Sequence, residues 1–341
     1  MKAVVLVGGE GTRMRPLTET TPKPLLPFMN RPFLHHVLDH LARHGVTEVI
    51  LSSPFLEREF DRFLRDRDPV PTVTWITEER PLGTCGAVVG ALPLLDGTFL
   101  VLNGDILTDL DLTELAAWHR SRGAVATIAL ATVADARAFG LVETDGHGRV
   151  RAFREKPAEP GPGRINAGTY VLEPEALAGV AAGVPVSIER ETYPDLIARG
   201  EPVYAMAWDG YWRDLGTPEA YLQAHLDALR GRVGGVAFPR PLLAEGSVMG
   251  GTAAVGELVV AGRHAAIGPG ARVDRSVLHE GATVGAGATV VDSVLGPHSR
   301  VGPGATLRTA VLGERAVAPE GSDLAGVRVP AGEMAGSPRS G

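Results

Sequence analysis

The sequence predicts two architectures in series: an α/β unit with a mainly parallel mixed sheet over residues 1–231, then a triangular coil of short parallel strands over 232–330, with a loose tail at 331–341. Two observations carry this expectation. Apolar β-branched runs suited to buried strands alternate with stretches of helical apolar spacing, the pattern of a sheet covered by helices on both faces. From Ile267 onward a 17-residue period sets in, aligning Ile267 with Val284 and Val301, Val273 with Val290 and Leu307, and Leu278 with Leu295 and Leu312. Gly268, Gly285 and Gly302 follow the first set. One short edge per apolar step and three edges per turn stack rungs roughly 4.8 Å apart.

Taken in order, Lys2 to Val7 is almost wholly apolar and reads as a buried strand opening into Gly8-Gly9-Glu10-Gly11. Glycines there let backbone N–H groups approach an anion, and Arg13, Arg15 and Lys23 add full charges that suit a triphosphate. The third glycine of a dinucleotide fingerprint is replaced by Met14, prolines follow at 16, 22 and 24, and no Walker string is present. Phe33 to Arg43 has helical spacing; Val46 to Ser52 and Thr72 to Thr77 read as strands, with a short helix at Leu56 to Leu64 between them. A helix opens at about Thr84 within Leu82-Gly83-Thr84-Cys85-Gly86, whose small residues would let a flat nucleobase near the backbone.

Thr98 to Leu102 forms a strand ending in Asn103-Gly104-Asp105, which sets a carboxylate at the same sheet edge as the glycine turn, placed to hold Mg²⁺ against phosphates. Asp111 caps the next helix. Val125 to Val133 is a strand, and Phe139 to Glu143 pairs with Val150 to Phe153 about a turn at Asp145–Gly148. Glu155-Lys156 then offers a hydroxyl acceptor beside a phosphate-binding cation, and Asn166 in Ile165–Tyr170 can exchange hydrogen bonds with hydroxyls. Ser187 to Arg199 reads as one helix capped by Ser187, Pro202 to Trp208 as a strand, and Thr217 caps a helix through Leu229. Asp214 would be a second hard oxygen ligand.

Bulk composition narrows the function classes. A net charge of −7 argues against nucleic acid or an anionic membrane surface as the partner. With the single cysteine Cys85 an internal disulfide is excluded, and no stretch reads as a leader or a membrane span, so a cytoplasmic setting is expected. Of the 33 basic residues only Lys2, Lys23 and Lys156 are lysines, which marks Lys23 and Lys156 as places where a compact ammonium is needed between phosphate oxygens.

The string G-G-x-G-T-R-x-x-P-L-T-x-x-x-P-K-P from Gly8 to Pro24 resembles the signature of sugar-1-phosphate nucleotidyltransferases. L-G-T-x-G, E-K-P and N-A-G extend the likeness, and the repeat resembles hexapeptide-repeat left-handed β-helices. Through L-N-G-D, I-N-A-G-T-Y, S-I-E-R-E-T-Y-P and W-R-D-L-G-T-P the chain is most similar to the mannose-1-phosphate guanylyltransferase branch. The resemblance implies a Rossmann-like catalytic domain that uses Mg²⁺ and takes an NTP, GTP favoured, and a sugar-1-phosphate. It implies catalytic roles for Arg13 and Lys23 on the triphosphate and for Asp105 and Asp214 on the metal. Substrate contacts would come from Leu6, Gly8, Gly9, Gly11, Thr12, Glu79, Gly83, Thr84, Asn103, Gly140, Glu155, Lys156 and Asn166, with Lys156 on the sugar phosphate. A homo-oligomer through the β-helix is expected, and solvated coil corners are expected for His264, His279 and His298. Two alternatives stay open: adenylyl, thymidylyl or uridylyl transfer to glucose-1-phosphate, and a non-catalytic paralogue that binds a nucleotide sugar.

Overall fold

The computed structural model describes residues 1–53, 60, 63, 71–155 (backbone only at 155), 159 and 161–336. The chain divides into two compact units, Met1–Gly9 with His36–Trp212 and Glu10–His35 with Arg213–Gly341. The segment that follows the first strand is therefore grouped with the C-terminal part of the chain.

The first unit is built on a nine-stranded mixed sheet. Its strands are β1 (Lys2–Leu6), β2 (Glu48–Ser53), β3 (Thr72–Thr77), β4 (Phe99–Asn103), β5 (Ala126–Val133), β6 (Gly140–Thr144), β7 (Val150–Glu155), β8 (Gly163–Leu172) and β9 (Val203–Trp208). Strands β4, β1, β2 and β3 run parallel in that order, which needs the crossover helices the sequence supplies. The long β8 is antiparallel to β4, β5 and β6, and β9 lies parallel to β5. Central strands buried on both faces read as continuous apolar runs, and Ala3, Val4 and Val5 are each 0% exposed. Val4, Ile50, Val101, Ile128 and Tyr170 join one core cluster.

Helix α1 spans Phe33–Arg43 and buries Leu34, Val37, Leu38 and Leu41, the stripe its spacing gives. Helix α2 is Gly83–Ala91, and α3 is Leu112–Arg122, where the Asp111 carboxylate accepts from Glu114 N–H at 2.9 Å. The expected helix at Leu56 to Leu64 lies largely outside the described residues, though Phe60 and Phe63 are buried. The stretch expected as one helix from Ser187 is two pieces, a π-helical turn at Ile188–Thr192 and α4 at Tyr193–Ala198. Ser187 does cap it, accepting from Arg190 N–H.

In the second unit, α5 (Pro218–Leu229) is capped by Thr217 Oγ1, and three parallel sheets of two- and three-residue strands follow. Pairing at a 17-residue step, as in Val277 with Val294 and Val311 with Arg328, makes each turn rest on the one before. Val273, Val290 and Leu307 are each 0% exposed and fill the interior. This is the stack expected from the repeat, consistent with a left-handed β-helix. Its first strand is Leu242–Leu243, inside the expected 232–330: Leu242 pairs with Val260 and Val248 with Ala266, an 18-residue step that blurs the repeat ahead of Ile267. The coil also runs on past Ala331, since Val317 N–H donates to Glu333 O and Ala335 N–H to Val317 O, both at 2.8 Å. His264 and His298 are exposed at corners with φ of 56°, but His279 is 2% exposed, so the solvated corner expected for it is wrong. The repeat fixes where a corner falls; it does not reveal what packs there.

Candidate active site

At the carboxyl edge of the first unit's sheet, β1 ends against β2 and β4, with Leu6 opposite both Ser52 and Asn103. Val7 N–H donates to Ser52 O at 3.1 Å and Gly104 N–H to Leu6 O at 2.9 Å. The first bond fastens the mouth of the glycine turn, Gly8-Gly9, to the end of β2, and the second fastens it to the turn that carries Asp105. A Cβ built on Gly9 meets nothing within 4 Å, which leaves backbone room for an incoming phosphate.

Beside this edge a cleft of about 460 Å³ is lined by Ser52, Glu78, Glu79, Arg80, Leu82 and Gly86, among others. Glu78 is 8% exposed; its Oε1 accepts from Ser52 Oγ at 3.0 Å and its Oε2 from Leu82 N–H at 2.9 Å. Sequence reasoning singled out Glu79, which is exposed, and passed over Glu78, whose only signal was its place one step past a strand. The small residues of α2 serve the chain's own packing: Cβ atoms on Gly83 and Gly86 would sit 2.6 Å from Val186 O and 2.7 Å from Val184 O. At those two positions the close approach read as room for a base is taken by backbone.

A second polar cluster lies around β8. Its register to β5 shifts between Asn166 and Tyr170, and in that bulge Gly168 adopts φ of 71° with its N–H on Asn166 Oδ1 at 2.9 Å. Asn166 Nδ2 donates to the Tyr170 hydroxyl at 2.7 Å, and Tyr170 donates to Glu189 Oε1 at 3.0 Å. Glu189 Oε2 also accepts from Thr84 Oγ1 at 2.7 Å and Ser187 Oγ at 2.9 Å. Trp212 Nε1 closes on Ala167 O at 2.9 Å. Asn166 and Thr84, both expected to face substrate, are thus joined through Glu189, a residue the sequence reading quoted inside a motif and gave no role. Gly140, at the start of β6, is buried. Lys156 and the side chain of Glu155 lie outside the described residues.

The second unit holds the charged part of the signature. Gly11 has φ of 63°, and a Cβ there would press on Thr18 at 3.0 Å, while Thr18 Oγ1 donates to Gly11 O at 2.7 Å. That clasp starts a 3₁₀ turn at Thr12–Met14, and a second at Lys23–Leu25 follows Pro22. Arg13 Nη2 and Lys23 Nζ each lie 3.9 Å from an oxygen of Asp214. Lys23 is 11% exposed and Arg13 70%, so one cation is held and the other reaches into solvent. Gly216 keeps this group tight, since a Cβ there would fall 2.8 Å from Arg13 Nη2 and 2.9 Å from Asp214 Oδ1. Both cations bring donors of the kind that bind phosphate, and Asp214 lies between them.

No cluster of three or more His, Cys, Asp or Glu suited to a metal occurs among the described residues. A cage made by protein alone is not offered there. Asp105 in the first unit and Asp214 in the second each bring carboxylate oxygens of the hard type that Mg²⁺ takes. The donor chemistry fits. Nor is any helix among the described residues long and apolar enough to cross a membrane.

Comparison with known proteins finds matches along most of the chain. Residues 2–231 match the family described as Nucleotidyl transferase, and residues 239–331 match the GMPPB C-terminal domain. A mannose-1-phosphate guanylyltransferase of Mycobacterium tuberculosis is 42% identical over 287 residues, covering 82% of this chain and 80% of that protein. Mannose-1-phosphate guanylyltransferase 1 of Arabidopsis thaliana is 37% identical over 287 residues, covering 81% and 79%. Among solved structures, HddC from Yersinia pseudotuberculosis aligns with a TM-score of 0.58 at 30% identity, over 65% of this chain and 97% of that one. HddC complexed with GMP-PN gives the same TM-score at 29% identity and the same coverage.

Proposed function

Because this chain belongs to the nucleotidyl transferase family, we propose that it transfers guanylate from GTP to a sugar-1-phosphate, mannose-1-phosphate foremost, and releases pyrophosphate. The observation that carries the proposal is the placement of Arg13 and Lys23 about Asp214, a cationic group on the phosphate-type glycine signature. In the proposed step an oxygen of the sugar-1-phosphate attacks the α-phosphorus, a P–O bond forms, and the α–β bridging bond breaks with its electron pair leaving on pyrophosphate. No covalent enzyme intermediate is needed, so the protein's work is alignment and neutralisation of charge.

Arg13 and Lys23 would grip the triphosphate, with Leu6, Gly8, Gly9, Gly11, Thr12 and Asn103 shaping its seat. Asp105 and Asp214 would hold Mg²⁺, which when bound neutralises phosphate charge. Lys156 would take the sugar phosphate, while Glu155, Asn166 and Gly140 would face the sugar. Glu79 would border the base, while Gly83, packed on Val186 O, and Thr84, bonded to Glu189, would support α2 beside it. Guanine is supported by the chain's similarity to mannose-1-phosphate guanylyltransferases.

Pyrophosphate release measured with each of the four NTPs against a panel of sugar-1-phosphates tests this. Mg²⁺-dependent turnover confined to GTP with mannose-1-phosphate is expected, and EDTA should abolish it. Turnover with another base or sugar would replace the substrate assignment, and none with any pair would overturn the enzymatic reading. In the same reading residues 1–231 carry the chemistry in the cytoplasm and residues 232–330 mediate a homo-oligomer, which light scattering on the full chain checks.

A further inference from the structure

Residues 10–32 contain the cationic signature, yet they own little regular structure: two 3₁₀ turns and a hairpin of two-residue strands at Pro27–Phe28 and Arg31–Pro32. At the hairpin tip Met29 and Asn30 have φ of 49° and 64°, a backbone that a methionine adopts only under outside constraint. A segment with so few bonds of its own must be shaped by what holds it.

What holds it is α5 and the β-helix. On the buried side, the Tyr221 hydroxyl donates to Pro27 O and lies 2.9 Å from His279 Nε2. A carbonyl can only accept, so the tyrosine proton goes to Pro27 and the imidazole must donate from Nε2–H to the tyrosine oxygen. The result is a directed chain from a β-helix corner through α5 to a carbonyl four residues past Lys23. His225 Nε2 accepts from Met29 N–H at 3.3 Å, and Asn30 Nδ2 donates to Ala261 O at 3.0 Å. On the outer side, Arg328 sits in the last strand of one β-helix sheet. Its Nη1 donates to Arg13 O at 3.3 Å and its Nη2 to Glu219 Oε1 at 2.7 Å, while Ala331 N–H donates to Glu19 Oε2 at 2.8 Å.

We propose that the β-helix is the positioning element for the signature segment: Arg328 sets the main chain at Arg13, and the His279–Tyr221 pair sets Pro27 and through it Lys23. Arg328 touches no reacting atom in this scheme and acts through Arg13. The proposal rests on the reading of Arg13 as a triphosphate-gripping group.

The test uses the full chain, with kcat, the KM for each substrate and Tm measured for Arg328→Ala, Arg328→Lys, Arg13→Ala and the Arg328→Ala/Arg13→Ala double variant. Arg328→Ala removes the bonds to Arg13 O and Glu219 Oε1, and loss of the one that orients Arg13 should lower kcat/KM for the NTP about three- to tenfold. The KM for the sugar phosphate and Tm should stay unchanged. Arg328→Lys, which keeps the charge without the fork, should recover part of the loss. Adding Arg328→Ala to Arg13→Ala should cost nothing further, because the group being positioned is gone. Wild-type turnover in Arg328→Ala, or the same loss with and without Arg13, overturns the proposal. Tyr221→Phe keeps the ring and removes both buried bonds; it should lower NTP kcat/KM in the same way, and an unchanged value in a folded variant would remove the buried arm. Absence of turnover in the wild-type chain with every NTP would instead strike the functional reading.

Discussion

The Gly104 N–H donates to the Leu6 carbonyl at 2.9 Å, tying the exit of β4 to the exit of β1 at the sheet's carboxyl edge. Strands β1 and β4 are already paired up to Leu6 and Asn103, so this bond carries the pairing one residue beyond the ladder. It sets where Asp105 leaves the sheet.

Gly104→Ala tests that relationship. A Cβ at this position would lie 2.8 Å from Leu6 O and 2.8 Å from Val7 Cγ1, and neither backbone nor buried valine can move cheaply. The variant should lose about 1–3 kcal/mol of stability, the usual cost of overpacking a closed site. Turnover should fall as well, because Asp105 is the next residue. A urea midpoint and a kcat both equal to wild type would show that the turn is not under this constraint.

Charge removal should separate turnover from affinity. Arg13→Ala and Asp105→Asn delete charges that matter most when negative charge builds on the departing pyrophosphate, so kcat should drop by roughly 10²–10³ with a much smaller change in KM. Near-normal kcat in both would count strongly against the phosphoryl-transfer scheme.

Much of this was legible because the elements announce themselves by period. Phe33–Arg43 and Thr72–Thr77 coincide with the spans their spacing predicts, and Asp111 and Thr217 cap the helices they precede. The β-helix follows from its 17-residue repeat, and its first rung was harder to read because an extra residue falls between Val255 and Val260. What stayed hidden depends on partners far along the chain. Nothing near Arg13 foretells Arg328, and nothing in the repeat foretells that Tyr221 covers His279. The π-helical turn at Ile188–Thr192 keeps apolar spacing like an ordinary helix, and that spacing does not register the hydrogen bonds that converge on Glu189.

Lys156→Ala addresses the sugar side. As one of three lysines in an arginine-rich chain, Lys156 stands where a compact ammonium suits a phosphate, and its removal should raise the KM for the sugar phosphate about tenfold while the KM for GTP holds. An effect confined to the nucleotide would contradict its assignment, and steady-state kinetics with each substrate varied in turn decides between the two.

Stability should also fall in mild acid, for a reason that can be assigned to two imidazoles. Burial pushes His279 down to about 4, with the Tyr221 hydroxyl the group that faces its ring. Burial, then the positive neighbours His44 and Arg43, push His40 down to about 4, against smaller opposing pulls from a backbone hydrogen bond at Leu110 and from Asp111. Both rings are neutral in the fold and free to charge in the unfolded chain at the ordinary 6.5, so between pH 6.5 and 4 the unfolded state binds more protons. Their contribution is therefore whole above pH 6.5 and drains away as pH falls toward 4, on the order of 3 kcal/mol per imidazole. Thermal unfolding from pH 7.5 to 4.5 should show a Tm that falls through this window, and His279→Leu, which cannot charge, should flatten part of the slope. A variant whose Tm tracks wild type at every pH would mean that His279 does not titrate in the folded chain as its burial requires.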